Sequence, residues 1–220
     1  MTAPFDLPFR ELVAHFGIPI YWPLPLTFWP LPVGVLFCVT FWWARAGERK
    51  ALAGRQFARD PSADFDRGSW LLISHGWRLV RLAALLAAVF TPPWTDGAPR
   101  YALYGAGLVL MIFGALLRQH CFRMLGEQFT YRVQVAEHGK IVKQGIYRWV
   151  RHPSYTGGMI YNLGIALALT NWTSTALVVV GMLVMYSYRV HVEERALLKV
   201  HSDAYGEYMR HTKRFVPFIF

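Results

Sequence analysis

The sequence predicts an all-α fold, a polytopic integral membrane protein of about five transmembrane helices with a cytoplasmic C-terminal region. Three observations predict it. Hydrophobic residues make up 55% of the 220-residue chain and charged residues only 16%, against roughly 25% charged in a typical soluble domain. Apolar runs approaching membrane length recur along the chain, and a helix needs about 20 residues to cross hydrocarbon. The 9 Trp and 11 Tyr are residue types that favour the headgroup level of a bilayer.

The first span is expected from about Leu26 to Trp43, after a lead-in carrying Pro19, Pro23, Pro25, Pro30 and Pro32. Prolines interrupt a helix interior, so the lead-in reads as re-entrant or interfacial, with regular helix only from about Leu31. The second span runs from about Leu71 to Phe90 and stops at Pro92-Pro93, and the third runs from about Tyr101 to Leu117. The fourth covers about Pro153 to Leu169 and the fifth about Thr173 to Tyr188. The link Thr170-Asn171-Trp172 is long enough only to turn, so spans four and five form an antiparallel hairpin. The N-terminus lacks a charged segment leading to a small-residue cleavage site, so no cleaved signal peptide is expected.

Charge sets the orientation. The formal net charge is +10. All but Arg10, Arg78, Arg81 and Arg100 of the 23 basic residues lie between spans one and two, between spans three and four, or after span five. The positive-inside rule then places the N-terminus outside and the C-terminus in the cytoplasm, consistent with an odd number of spans. Loops of this kind suit a bacterial inner membrane, and anionic lipid accounts for the basic excess without nucleic acid. No CxxC or Cys/His zinc spacing involves Cys38 or Cys121, so free thiols and no metal are expected. Glycine-rich nucleotide turns, P-loops, HExxH and GxSxG are also missing.

Two polar clusters stand at the cytoplasmic ends of the predicted hairpin. The first is Arg151-His152-Pro153-Ser154-Tyr155. Proline suits the first turn of a helix, where its missing N–H costs nothing, and it sets where span four begins. The free amides of that turn favour an anionic ligand group. Tyr147 and Tyr155 offer flat faces and hydroxyls. The second cluster is Arg189, His191, Glu193 and Glu194. Arg189 and Glu193 are four apart and share a helix face, Glu193 suiting a cation and Arg189 an anion, whereas Glu194 points elsewhere as a solvated residue. Arg78 and Arg81 lie in the cytoplasmic half of span two, where they snorkel or meet a lipid-like substrate.

The segment from Leu125 to Phe220 resembles the isoprenylcysteine carboxyl methyltransferase family and its phospholipid methyltransferase relatives. The resemblance runs through Leu125-Gly126-Glu127-Gln128-Phe129-Thr130, Gly139 to Arg148, Arg151-His152-Pro153-Ser154-Tyr155, Glu193 to Leu198, Tyr205-Gly206-Glu207-Tyr208 and Val216-Pro217-Phe218-Ile219. It implies an all-helical membrane enzyme using S-adenosylmethionine and releasing S-adenosylhomocysteine. It places the cofactor against Gln134, Gly139, Lys140, Ile141, Val142, Tyr147, His152, Pro153, Ser154, Tyr155 and Glu193. Arg189 matches an arginine at the substrate, with Arg189, Glu193 and His152 as the catalytic set. Residues 1–118 then form a membrane anchor with acceptor access, and residues 119–220 the catalytic region, its hairpin spanning 153–189. The acceptor is lipophilic, an isoprenoid or another lipid bearing a carboxylate, phenol, thiol or amine. Alignment of the two reactants can supply about 7–11 kcal/mol of barrier reduction. A carboxylate acceptor needs no general base. A phenol or amine does, and His152, Glu193 and Glu194 are available. Alternatives are a small transporter or channel subunit, which should show paired broken helices at mid-membrane, or a membrane reductase sharing the C-terminal hairpin.

Overall fold

The structure is a computed structural model. It describes residues 21, 23, 33–52, 65–126, 129, 133, 135 and 141–215. Among these the chain is helical: α1 (Val33–Leu52), α2 (Ser69–Phe90), α3 (Ala98–Leu125), a 3-10 turn (Gly145–Arg148), α4 (Pro153–Ala168), α5 (Trp172–Val200) and α6 (Ser202–His211).

Among the described residues, three helices, α2, α3 and α5, are long and apolar enough to cross a membrane. The expectation of five is met only to that extent. The second half of α1 carries Arg45, Glu48, Arg49 and Lys50, and α4 has 16 residues, roughly 24 Å of helix. The predicted first span begins outside the described residues, as does most of its proline-rich lead-in. Two boundaries agree closely with expectation, since α2 ends at Phe90 and α4 begins at Pro153. By contrast, α3 and α5 continue well past their apolar stretches, to Leu125 and Val200.

Helices α3 and α4 run antiparallel in very close contact, and glycine makes this possible. A methyl group added at Gly114 would lie 2.5 Å from the Tyr161 backbone nitrogen, and one at Gly107 would lie 2.6 Å from that of Ala168. The reciprocal positions are Gly157 and Gly164, whose added methyls would meet the Gly114 and Gly107 carbonyls at 2.9 and 2.6 Å. Each pair is seven residues apart, so it recurs on one helix face. In a lipid environment, where apolar burial gives no net drive, such close backbone approach supplies the packing energy.

Antiparallel packing of α2 on α5 is pinned by Ser174, whose hydroxyl donates to the Ala84 carbonyl at 2.5 Å. Here Trp77, Ala84, Ala88, Val178, Met185 and Tyr186 form a buried cluster. Helix α1 runs alongside α3 in the same direction: Tyr104 bonds the Val33 carbonyl near one end, and Gly47 faces Gln119 near the other. Large apolar side chains such as Leu79, Leu82, Val109, Phe113, Val180 and Leu183 point outward, as a lipid-facing surface requires.

The α4–α5 turn is held by Asn171. Its side-chain oxygen accepts from the Ser174 N–H at 2.9 Å, capping α5, and its amide donates to the Thr91 and Pro92 carbonyls at 3.1 and 2.8 Å. With this end of the bundle closed by the Asn171 side chain, the polar clusters gather at the other end.

Candidate functional site

The site is built where α1 and α3 end, where α2 and α4 begin, and where α5 emerges from the bundle. Pro153 opens α4, with His152 as its N-cap and no side chain capping the helix start. Pro153 carries no N–H and the Tyr155 and Thr156 N–H groups bond the His152 carbonyl at 3.0 and 3.1 Å, so the Ser154 N–H is the first-turn amide that remains for negative charge. His152 is 4% exposed. Its ring lies nearly parallel to Tyr155, with an interplanar angle of 12° and centroids 5.5 Å apart, and Phe215 approaches at 6.2 Å.

From α5 come Arg189, Glu193 and Glu194. The Tyr155 hydroxyl links α4 to this helix, donating to Glu193 at 2.6 Å and accepting from Arg189 Nε at 3.1 Å. His152 Nδ1 stands 3.9 Å from Glu193 Oε2, and the Glu193 side chain is 30% exposed. The two helices thus bring His152, Tyr155, Arg189 and Glu193 together, as the hairpin predicted.

Glu194 departs from expectation. It is 4% exposed, and its carboxylate accepts from Arg151 Nε at 3.1 Å and Arg214 Nη2 at 2.9 Å and lies 3.2 Å from His152 Nε2. A solvated Glu194 follows from α5 taken alone; the C-terminal segment folds back and brings Arg214 to it. That segment lies along residues 149–152: Arg151 N–H donates to the Lys213 carbonyl at 2.7 Å, His152 N–H to Arg214 at 3.0 Å and Lys213 N–H to Trp149 at 3.1 Å. Thr156 adds a hydroxyl bond to the Phe215 carbonyl at 2.8 Å.

Arg189 is also buried. Its Nη1 donates to Asp66 and to the Ser69 hydroxyl, each at 2.6 Å. Asp66, just ahead of α2, was not among the sequence candidates. It also accepts from Ser69 Oγ at 2.9 Å, the Val133 N–H at 3.1 Å and the Trp70 N–H at 2.9 Å. Burial works against its charge, but these donors and the Arg189 guanidinium outweigh burial and hold its carboxyl below the usual range. A signal was present in an acidic residue standing just ahead of the start of α2, where its carboxylate accepts from the Trp70 N–H of the first turn. The 123-residue separation from Arg189 hid the rest.

Arg118 is a second residue missed by the sequence reading. Its Nε donates to Glu48 at 2.6 Å and its Nη1 to the Ser154 carbonyl at 3.1 Å, so it joins α1, α3 and the first turn of α4. Of the two α2 arginines, Arg78 is exposed. Arg81 is half-buried over the Trp77 ring at 5.7 Å, its Nε without a hydrogen-bond partner, like the nearby buried Tyr161 hydroxyl.

Tyr147 is buried behind the site, and burial pushes its hydroxyl far above the ordinary range, so it stays neutral. Ile141 and Val142 are half-buried. Gln134, Gly139 and Lys140 lie outside the described residues. Among the described residues, no three His, Cys, Asp or Glu side chains gather to hold a metal ion. The arrangement offers a half-exposed carboxylate for a cation, the Ser154 N–H at the α4 start for an anion, and stacked rings for a flat group.

A family model described as the isoprenylcysteine carboxyl methyltransferase (ICMT) family matches residues 107–199. Protein-S-isoprenylcysteine O-methyltransferase B of Arabidopsis thaliana is 30% identical over 154 residues, covering 69% of this chain and 78% of that protein. Protein-S-isoprenylcysteine O-methyltransferase of Saccharomyces cerevisiae is 32% identical over 115 residues, 51% of this chain and 48% of that protein. The solved structure of the eukaryotic intramembrane Ras methyltransferase ICMT without a monobody superposes with a TM-score of 0.50 at 20% identity. It covers 97% of this chain and 87% of that one, a likeness of fold.

Proposed function

The chain belongs to the isoprenylcysteine carboxyl methyltransferase family of membrane methyltransferases, and on that footing we propose that it methylates an isoprenylated or similarly lipid-like acceptor at the cytoplasmic membrane face, drawing the methyl group from S-adenosylmethionine. The observation that carries this reading is the approach of His152 on α4 to Glu193 on α5, at 3.9 Å with the Tyr155 hydroxyl between the helices.

The donor set fits the cofactor. Glu193 retains acceptor capacity beyond the Tyr155 bond and suits a cationic group. The Ser154 N–H, directly after Pro153 at the α4 start, suits a carboxylate. The rings of Tyr155 and Tyr147 suit an adenine and His152 stands beside Glu193, with Ile141, Val142 and, outside the described residues, Gln134, Gly139 and Lys140 completing the set. S-Adenosylmethionine supplies a methyl group on a cationic sulfur, an electrophile that requires no further activation. The work left to the protein is to orient two reactants and exclude water.

Arg189 acts on the acceptor side, its guanidinium held by Asp66, Ser69 and Tyr155. Arg81 faces inward, toward the interior between α2 and α4, where it can meet a polar acceptor group arriving from lipid. Arg78 serves the membrane surface. Residues 1–118 anchor the chain and contribute Glu48, Asp66, Ser69 and Arg118 around the catalytic region of residues 119–220. We read α1 and α4 as completing five crossings. The alternating helix directions and the basic segments then place the N-terminus outside and the site in the cytoplasm, and a bacterial inner membrane suits that charge pattern.

Calorimetry with the purified full chain in detergent micelles tests the reading. Heat of S-adenosylhomocysteine binding is expected, together with transfer of a labelled methyl group to a farnesylated cysteine probe. A folded sample that binds no S-adenosylhomocysteine removes the proposal.

A further inference from the structure

The two glutamates at the end of the hairpin divide their work, and the division fixes the chemistry of His152. Among the described residues, the Glu194 carboxylate accepts from Arg151 Nε and Arg214 Nη2, at 3.1 and 2.9 Å, and faces His152 Nε2 at 3.2 Å. A carboxylate flanked by two guanidiniums is ionised and can only accept. The imidazole nitrogen facing it must therefore carry a proton. In a neutral ring the other nitrogen then holds a lone pair. That other nitrogen, Nδ1, is the one on the side of Glu193.

The ring has little freedom to escape this choice. It is stacked on Tyr155 and bounded by Phe215, and its backbone N–H is tied to the Arg214 carbonyl at 3.0 Å. At 3.9 Å, Nδ1 and the Glu193 carboxylate are too far apart to bond each other. They are close enough for one small donor to reach both, since two hydrogen bonds of about 2.9 Å can diverge from a single nitrogen across that gap.

We propose that Glu194 is a positioning residue that holds His152 as the Nε2–H tautomer, so that Nδ1 and Glu193 act as a paired acceptor for one protonated amine. The amino-acid end of an adenosyl sulfonium cofactor carries such a group. Identification of the amine rests on the proposed function; the tautomer does not. Glu193 supplies the charge and Nδ1 the direction. A ring with its proton on Nδ1 would instead present a donor and turn the amine away.

The experiment uses the full chain with nitrogen-labelled histidine in detergent micelles, the His152 signal being assigned by its loss in His152→Asn. The wild type should show a ring carrying its proton on Nε2 and not on Nδ1. Glu194→Gln, whose amide can donate as well as accept, should move part of the population to Nδ1–H. It should weaken S-adenosylhomocysteine about tenfold or more while leaving a deaminated analogue unaffected, and Glu194→Asp should restore part of the loss. A wild-type ring protonated at Nδ1 overturns the proposal. So does an equal loss of both compounds in Glu194→Gln, which would mark Glu194 as structural only. If Glu194→Gln does not fold, the wild-type spectrum decides the tautomer, and the two compounds compared on the wild type and Glu194→Asp decide the role. A wild type that shows the Nε2–H ring and binds neither compound sinks the cofactor assignment and, with it, the amine half of the proposal.

Discussion

The Arg189 guanidinium lies 2.6 Å from the Asp66 carboxylate, 123 positions earlier in the chain. Their side chains are only 7% and 8% exposed. The pair fastens the emerging end of α5 to the entry of α2 and holds Arg189 beside Tyr155. Removing one partner of a buried pair leaves the other charge uncompensated.

Asp66→Asn is therefore expected to lower stability by about 3–5 kcal/mol, read as a drop in melting temperature in detergent. The pH dependence has a definite sign. The folded carboxyl sits below its ordinary value, so its contribution is complete above the unfolded value of about 4 and fades as the pH falls through the folded value. Acidification across that range should lower the wild-type melting temperature more than that of Asp66→Asn. Parallel losses would show that the pair does not govern acid stability.

Glu193→Ala should weaken S-adenosylhomocysteine by roughly 10- to 100-fold, the range expected for loss of a hydrogen bond to a charged group. Melting temperature should change little, because the Glu193 side chain is 30% exposed while Glu194 is buried. Glu194→Ala should lose stability as well as affinity, since it also removes the buried carboxylate partner of Arg151. Titration calorimetry and thermal melts on both variants separate the roles, and identical profiles would refute the division of labour.

Gly114→Ala places a methyl group 2.5 Å from the Tyr161 backbone nitrogen, where neither helix can yield by rotating a side chain. A loss of about 1–3 kcal/mol or more follows. Gly105 provides the control on the same helix: nothing lies within 4 Å of an added methyl, and Gly105→Ala should be neutral or stabilising by up to about 1 kcal/mol. Equal melts for the two variants would deny the α3–α4 contact.

Trypsin added to inside-out vesicles should cut at the exposed Arg210 or Lys213, because the proposed orientation puts this segment in the cytoplasm. Cleavage only from the opposite side would reverse the topology.

Much of this molecule can be read along the chain. The apolar runs mark α2, α3 and α5, the Pro92-Pro93 pair marks the close of α2, and Pro153 marks the start of α4. These features are local: backbone groups in hydrocarbon must bond within their own helix, so helix position follows from nearby residues. The meeting of His152 with Glu193 was also legible, because Thr170-Asn171-Trp172 permits only a hairpin.

Contacts between distant segments were decided by tertiary structure. Asp66 reaches Arg189, Arg118 joins Glu48 to Ser154, and Arg214 returns to Glu194. Nothing in the periodicity of one helix states which charge faces it from another. The same holds for Gly107, Gly114, Gly157 and Gly164: their spacing is visible in the sequence, but only the packed pair of helices shows that backbone occupies the space a side chain would fill. A charge or a missing side chain acquires its role from what lies opposite, and that is set by packing.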